Sequence, residues 1–396
     1  MIRRIVVVGA SLAGLRAAET LRARGFDGTL TLIGDELHRP YDRPPLSKQI
    51  LQGAWPAERA FFRAREGYEP LALDLRLGTP ATAIDAAARR VMLREGSAVE
   101  YDRLIVATGA RVRTLPGVRP LAGLHVLRTL DNAIALRQDL GRARRVAIVG
   151  AGFIGLEVAA SCRALGLEVT VLEALPLPLG RICGADVGAL IAAMHRDHGV
   201  DIRCGVTVEA IAGDARVTGV RLSDGTRVEA DVVVVGIGVA ANTEWLHDST
   251  LTLHDGVVCD AQGQAAPGIY AAGDVARMHN AWLGEAVRVE HWTNAVEQAA
   301  HVAEQLLAGG GTTPFSSVPY FWSDQYDRRV QFVGRAAPHD EMVVVEGSQA
   351  ARQFTALYRR GDRLCACLAV NQPRSTIKYR KLLARGASWS ETLTAH

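Results

Sequence analysis

The sequence of 396 residues predicts an α/β fold: two Rossmann-like dinucleotide-binding domains plus a smaller α+β C-terminal domain. Three observations predict it. A strand, a glycine-rich turn and a helix occur in that order twice, in "RRIVVVGASLAGLRAAETLRARG" from Arg3 and in "RRVAIVGAGFIGLEVAASCRALG" from Arg144. Each copy continues into a second apolar strand that ends in acid, "TLTLIGDE" (Asp35, Glu36) and "EVTVLEA" (Glu173). Beyond Pro314 the pattern changes to alternating runs such as "MVVVEG" and "RLCACLAV", which read as strands, followed by the helical "STIKYRKLLARG".

In the second copy Gly150 allows the tight strand-to-helix turn, Gly152 lets backbone approach a pyrophosphate, and Gly155 permits close helix–strand packing. The helix N-terminus then receives the pyrophosphate, because its free N–H groups and dipole favour negative charge. An acid about 20 residues further on accepts from the adenosine ribose. Glu173 stands 18 residues after Gly155, and Asp35 stands 21 after Gly14. The first copy has Gly9 and Gly14, with Ser11 at the middle position and Ala13 beside the last glycine. A small hydroxyl there still admits the phosphate. Two copies in the right setting mean two bound dinucleotides.

Composition sets the outer bounds. At 48% hydrophobic and 22% charged the chain is an ordinary soluble globular protein with a large core. Net charge is 45 − 42 = +3, which does not call for nucleic acid. From Phe315 onward there are 12 Lys/Arg against 7 Asp/Glu, so that segment carries +5 and the remainder −2. The six cysteines are scattered without C-x-x-C or zinc spacing, which predicts reduced thiols, a cytoplasmic setting and no metal site. The longest apolar run, Val232 to Ala241, holds two glycines and is too short to span a bilayer, so no membrane association is expected. The opening "MIRRIVVVGASLAGL" reads as a strand and turn, not a signal peptide.

Two further turns separate the two nucleotide sites. "YDRLIVATGAR" (101–111) and "PGIYAAGDVAR" (267–277) are strands that end in small-residue turns. They resemble the A-T-G turn and the second flavin motif of the FAD and NAD(P) disulfide-reductase-like flavoproteins. By that resemblance Ala107, Thr108, Gly109, Arg111, Gly273, Asp274 and Val275 contact FAD together with Gly9, Ser11, Ala13, Gly14, Asp35 and Glu36. The fingerprint at Gly150, Gly152, Phe153, Ile154 and Gly155 then takes the nicotinamide dinucleotide, with Gly236 and Gly238 of "VVVGIGVAANTEWL" approaching it. Glu173 repels a 2′-phosphate and no Arg pair follows it, so the expected reductant is NADH. Arg181 is the residue that would hold a 2′-phosphate.

The stretch "RPYDRPPLSK" (39–48) carries three prolines, which exclude central strand and helix interior. It closely resembles "PY-x-RPPLSK" of the FAD-dependent NADH:ferredoxin reductase family, the reductases of the putidaredoxin-reductase and aromatic-ring dioxygenase type. The resemblance places Arg43 and Lys48 along the FAD, with Lys48 paired to Glu157 of "GFIGLE". It also places Glu290, His291 and Trp292 of "VEHWTNAVEQA" at the flavin, where a structural, hydrogen-bonded role is the other reading of His291. Dithiol relatives carry a C-x-x-x-x-C pair near this point, but no cysteine precedes Cys162 here. Electrons must therefore leave the flavin without a disulfide relay.

The implied organisation is an FAD-binding domain at 1–107 and 236–309, an NAD-binding domain at 108–235, and a C-terminal interface domain at 310–396 that follows the loop "LAGGGTTP". The implied reaction passes a hydride from NADH to FAD and then single electrons to a [2Fe–2S] ferredoxin feeding a monooxygenase or dioxygenase. An acidic ferredoxin would dock on Arg328, Arg329, Arg359, Arg360, Lys378, Arg380 and Lys381, and the reductase is expected to be a monomer. The alternatives are a rubredoxin reductase, an NADH oxidase, or an NADH sensor of the apoptosis-inducing-factor type.

Overall fold

Short runs of β-branched and aliphatic residues, buried on both faces, build the first parallel sheet. Its central strands are Arg4–Val8, Thr29–Ile33, Arg103–Val106 and Ile269–Ala271. Leu73–Arg76 closes one edge in parallel, and Gln264–Ala266 closes the other as an antiparallel hairpin. The register aligns the carboxyl ends: Val8 lies opposite Ile33 and Val106, and Val106 lies opposite Ala271. Gly9, Gly34, Ala107 and Ala272 therefore all leave the sheet along one edge. The helices Leu12–Ala23 and Trp292–Leu307 pack against each other, with Ala17, Ala18, Ala299 and Ala303 all at 0% exposure. Such small residues allow close approach.

The computed structural model describes residues 2–180, 184–309 and 313–394. It groups the chain into two compact units, and the sheet above belongs to the first, Met1–Asp42, Phe61–Arg111 and Ala240–Phe321. The second contains Arg43–Ala60, Val112–Val239 and Trp322–His396. The proline stretch from Arg43 and most of the C-terminal segment thus group with the residues expected to bind NAD. Arg181, and residues 310–312 of the Gly-rich loop, lie outside the described residues.

In the second unit a five-stranded sheet is parallel throughout, in the order Val200–Cys204, Glu168–Glu173, Arg145–Val149, Val232–Val235, Leu124–Val126. Val149 lies opposite Leu172 and Val235, so the glycine turn, the acid and the Gly236 turn again share one edge. A three-stranded antiparallel meander spans Val208–Glu229. The C-terminal part is a five-stranded sheet, Tyr320–Gln325, Arg328–Gly334, Arg363–Val370, Gln353–Arg360, Glu341–Ser348. The helix Pro373–Ala384 packs on two of its strands. The tight turn between its first two strands puts Tyr326 at φ 55°.

Prolines 44 and 45 open a short 3₁₀ turn, Pro44–Ser47, whose missing donors no helix would use. That turn packs on the helix Phe153–Ala164. Among the described residues no helix is long and apolar enough to cross a membrane.

Candidate active site

The first cradle is built by backbone crowding that only glycine tolerates. Gly9 has φ +118°, and a Cβ on it would lie 2.1 Å from the Ala107 carbonyl oxygen. A Cβ on Gly14 would lie 1.8 Å from the Gly9 carbonyl oxygen, so the helix starts flush against the strand end. Ser11 is the N-cap, yet its hydroxyl caps no helix N–H, which leaves those donors directed outward. Gly273 approaches the same helix: its Cβ would stand 2.9 Å from that of Ala13, and its N–H donates to buried Gln298 Oε1 at 3.0 Å.

Around this cradle the predicted residues take defined partners. Tyr41 OH donates to Glu36, while Asp35 is exposed. Thr108 Oγ1 donates to the Asn242 carbonyl at 2.9 Å, and Asn242 Nδ2 returns a bond to the Thr108 carbonyl at 2.8 Å. Gly109 has φ +66° beside that exchange, and Arg111 pairs with Glu244. Val275 is fully buried, and the Asp274 carbonyl accepts from Arg288, which also pairs with Glu290. Trp292 Nε1 donates to Asp42 Oδ1 at 2.8 Å, which ties the proline stretch to the start of the last helix of this unit. Burial holds the His291 imidazole neutral, its pKa lowered to about 4 against a partial opposing pull from Asp274.

The second cradle repeats the geometry. Gly150 has φ +104°, its Cβ would lie 2.3 Å from the Gly236 carbonyl oxygen, and a Cβ on Gly155 would lie 2.2 Å from the Gly150 carbonyl oxygen. Gly152, the N-cap of Phe153–Ala164, differs: a Cβ there would meet nothing within 4 Å. The space in front of the helix N-terminus is therefore open, as the close approach of a pyrophosphate requires. Glu173 accepts from the N–H groups of Ala151 at 2.7 Å and Leu175 at 2.9 Å, so its carboxylate is fixed at the turn. Phe153 is half-buried, Ile154 and Ile237 are exposed apolar side chains beside the cradle, and Gly238 has φ +99°.

The third element is a buried ion pair in the second unit. Lys48 Nζ stands 2.6 Å from Glu157 Oε2, with the two residues 9% and 4% exposed. Ser47 Oγ donates to the same oxygen at 2.5 Å and Ser323 Oγ to Oε1 at 2.8 Å. An ion pair this deep persists only where further hydrogen bonds satisfy it, and here both carboxylate oxygens are satisfied. Ser47 is itself held by Ser161, which donates to the Ser47 carbonyl at 2.6 Å. Arg43 donates to the Arg128 carbonyl. Sequence reasoning reached Lys48 and Glu157 through a motif; it missed Ser47, Ser323, Gln298 and Asn242, ordinary polar residues with no local signal.

Burial pushes Cys162 and Cys259 up to about 12, far from the thiolate needed for redox exchange. In the C-terminal part, Arg328, Arg329, Arg359 and Arg360 each pair with a carboxylate. The basic residues concentrated on one element are Arg374, Lys378, Arg380 and Lys381 of the helix Pro373–Ala384, among which Ile377 is 62% exposed.

Residues 3–299 match the pyridine nucleotide-disulphide oxidoreductase family and residues 320–396 the reductase C-terminal family. The chain is 41% identical to rhodocoxin reductase of Rhodococcus erythropolis over 96% of its own length and 89% of that protein. It is 42% identical to the ferredoxin–NAD(+) reductase component of the anthranilate 1,2-dioxygenase system of Burkholderia cepacia, over 96% of this chain and 94% of that one. The crystal structure of a covalent putidaredoxin reductase–putidaredoxin complex superposes with a TM-score of 0.92 at 36% identity, covering 96% of this chain and 93% of that one.

Proposed function

The chain belongs to the pyridine nucleotide-disulphide oxidoreductase family, and from that premise we infer how its own residues carry the reaction. It is an FAD-dependent ferredoxin–NAD(+) reductase of the kind that serves monooxygenase and dioxygenase systems. The residues fit both dinucleotides. Each cradle has two glycines that a Cβ would force into backbone, a helix N-terminus free of side-chain capping, and acid at the end of the next strand. Bound FAD supplies the conversion of a two-electron hydride into single electrons.

We assign the first cradle to FAD and the second to NADH. Glu173, held by two backbone donors, presents a carboxylate to the adenosine ribose and disfavours NADPH. Lys48 is the charged group assigned to the redox step, because a fixed ammonium stabilises negative charge that develops beside it. Glu157 keeps that ammonium in place. The buried Lys48–Glu157 pair, in a chain with no cysteine before Cys162, carries this reading: it supplies electrostatics and leaves no dithiol to relay electrons.

The partner is a [2Fe–2S] ferredoxin with an acidic face, received on the helix Pro373–Ala384 by Arg374, Lys378, Arg380 and Lys381 around Ile377. An apolar centre rimmed by charge suits a transient electron-transfer contact. The reductase acts as a monomer in the cytoplasm. NADH-driven cytochrome c reduction by the FAD-loaded protein, with and without a [2Fe–2S] ferredoxin, is the test. Strong stimulation by ferredoxin is expected; fast flavin reduction without stimulation would move the acceptor to rubredoxin or oxygen.

A further inference from the structure

Beyond Glu157 the second unit contains a line of hydrogen bonds that the reaction as assigned does not use. Ser323 Oγ donates to Glu157 Oε1 at 2.8 Å and accepts from Gln325 Nε2 at 3.0 Å. Gln325 Oε1 lies 2.9 Å from His195 Nε2, and His195 Nδ1 lies 2.9 Å from Tyr326 OH. Ser323 and His195 are 0% exposed and Gln325 is 1% exposed. Tyr326 is half-buried and lines a cavity of about 460 Å³ with Lys48, Arg163, His198 and Asp324; its ring stacks on His198 at 3.6 Å.

The direction of every bond in the line is fixed from one end. A carboxylate only accepts, so the Ser323 hydroxyl must donate to it. The Ser323 oxygen is then free to accept, which turns the Gln325 NH₂ toward it and the Gln325 carbonyl toward His195. A carbonyl only accepts, so His195 carries its hydrogen on Nε2, and Nδ1 receives the Tyr326 hydroxyl. Burial keeps His195 neutral, its pKa lowered to about 4, which leaves Nδ1 available as that acceptor. Aliphatic side chains of like volume would fill this space without desolvating four polar groups. Sheet and helix packing therefore do not account for the line.

We propose that Ser323, Gln325, His195 and Tyr326 are positioning residues for the Lys48–Glu157 pair, a one-way chain that sets the Glu157 carboxylate and so the Lys48 ammonium. Terminal carboxylate torsions are broad and two-fold. Ser323 removes that freedom by engaging Oε1, which presents Oε2 to Ser47 and Lys48. The chain begins on the hairpin turn of the C-terminal sheet, so the C-terminal segment contributes to the redox site through a side-chain line. This proposal rests on the assignment of Lys48 and Glu157 to the redox step.

Stopped-flow reduction of the FAD-loaded full chain by NADH separates the limiting rate from the NADH dissociation constant. S323A is expected to lower the limiting rate about tenfold, the effect of one lost hydrogen bond to a charged group, with the dissociation constant unchanged. Y326F, at the half-exposed outer end, lowers it in the same direction and carries the test should S323A not fold. A readout independent of turnover is the ¹⁵N spectrum of histidine-labelled protein: His195 is the neutral Nε2–H form at pH 7 and stays so in Y326F, whereas S323A, which frees the Gln325 amide to turn over, populates both tautomers. Wild-type limiting rates in the variants, or His195 as Nδ1–H in the wild type, overturn the chain while leaving the functional reading intact. A wild-type flavin that NADH does not reduce overturns the functional reading and the chain with it.

Discussion

At the scale of single residues, Glu157 is the carboxylate whose replacement separates charge from packing. Glu157→Gln keeps the volume and the bond to Ser323 but leaves the Lys48 ammonium buried without a counter-charge. Flavin reduction by NADH should slow about tenfold or more, measured by stopped-flow absorbance at saturating NADH. His195 and His291 give a second expectation. Both have folded-state pKa values lowered by burial to about 4, against 6.5 for the exposed imidazole. The unfolded chain therefore takes up their protons first as pH falls, and stability is lost between pH 6.5 and 4. The melting temperature should drop on going from pH 7 to pH 5, and less so in a His195→Gln variant. The role of His195 was not legible in the sequence, because its neutrality follows from burial by residues far away: it meets Gln325 across 130 positions.

At the scale of elements, the two glycine turns were legible because their chemistry is local. Strand, turn and helix lie within 25 residues of one another, and the crowding that demands glycine comes from the turn itself or the neighbouring strand end. The second cradle divides its glycines into two kinds. Gly155→Ala places a methyl 2.2 Å from the Gly150 carbonyl oxygen, so it should destabilise the fold by about 2 kcal/mol or more, seen as a lowered melting temperature. Gly152→Ala meets nothing within 4 Å at an ordinary φ of −77°, so the melting temperature should hold within a few degrees of wild type. Its methyl instead fills the space before the helix N-terminus and should weaken NADH binding in a fluorescence titration. The proline stretch was half legible: three prolines predicted an irregular segment, but that it turns its serine and lysine into a buried carboxylate depends on a helix more than 100 residues on.

At the scale of the whole molecule, charge is unevenly distributed along the chain. The C-terminal segment carries +5; Arg359 and Arg360 pair with Glu341 and Asp340, and the helix Pro373–Ala384, the proposed docking face, carries Arg374, Lys378, Arg380 and Lys381. Electron delivery to ferredoxin should fall steeply with added salt, while flavin reduction by NADH stays nearly flat. Reversing Lys378 and Lys381 to Glu should lower the ferredoxin-dependent rate about tenfold at low ionic strength and leave NADH reduction unchanged. Which of these basic residues meet a carboxylate was not legible in the sequence, since pairing such as Arg360 with Asp340 is a tertiary fact. The division into units has one more consequence. The chain passes from one unit to the other five times, and the first sheet needs Ile269–Ala271 beside Arg103–Val106. A ribosome adding about 5–20 residues per second must therefore translate some 160 codons between those two neighbouring strands. During that interval the nascent first sheet has an unsatisfied edge, so expression yield should depend on chaperone supply and on elongation rate. The first cradle should not survive in a fragment that ends before Ile269.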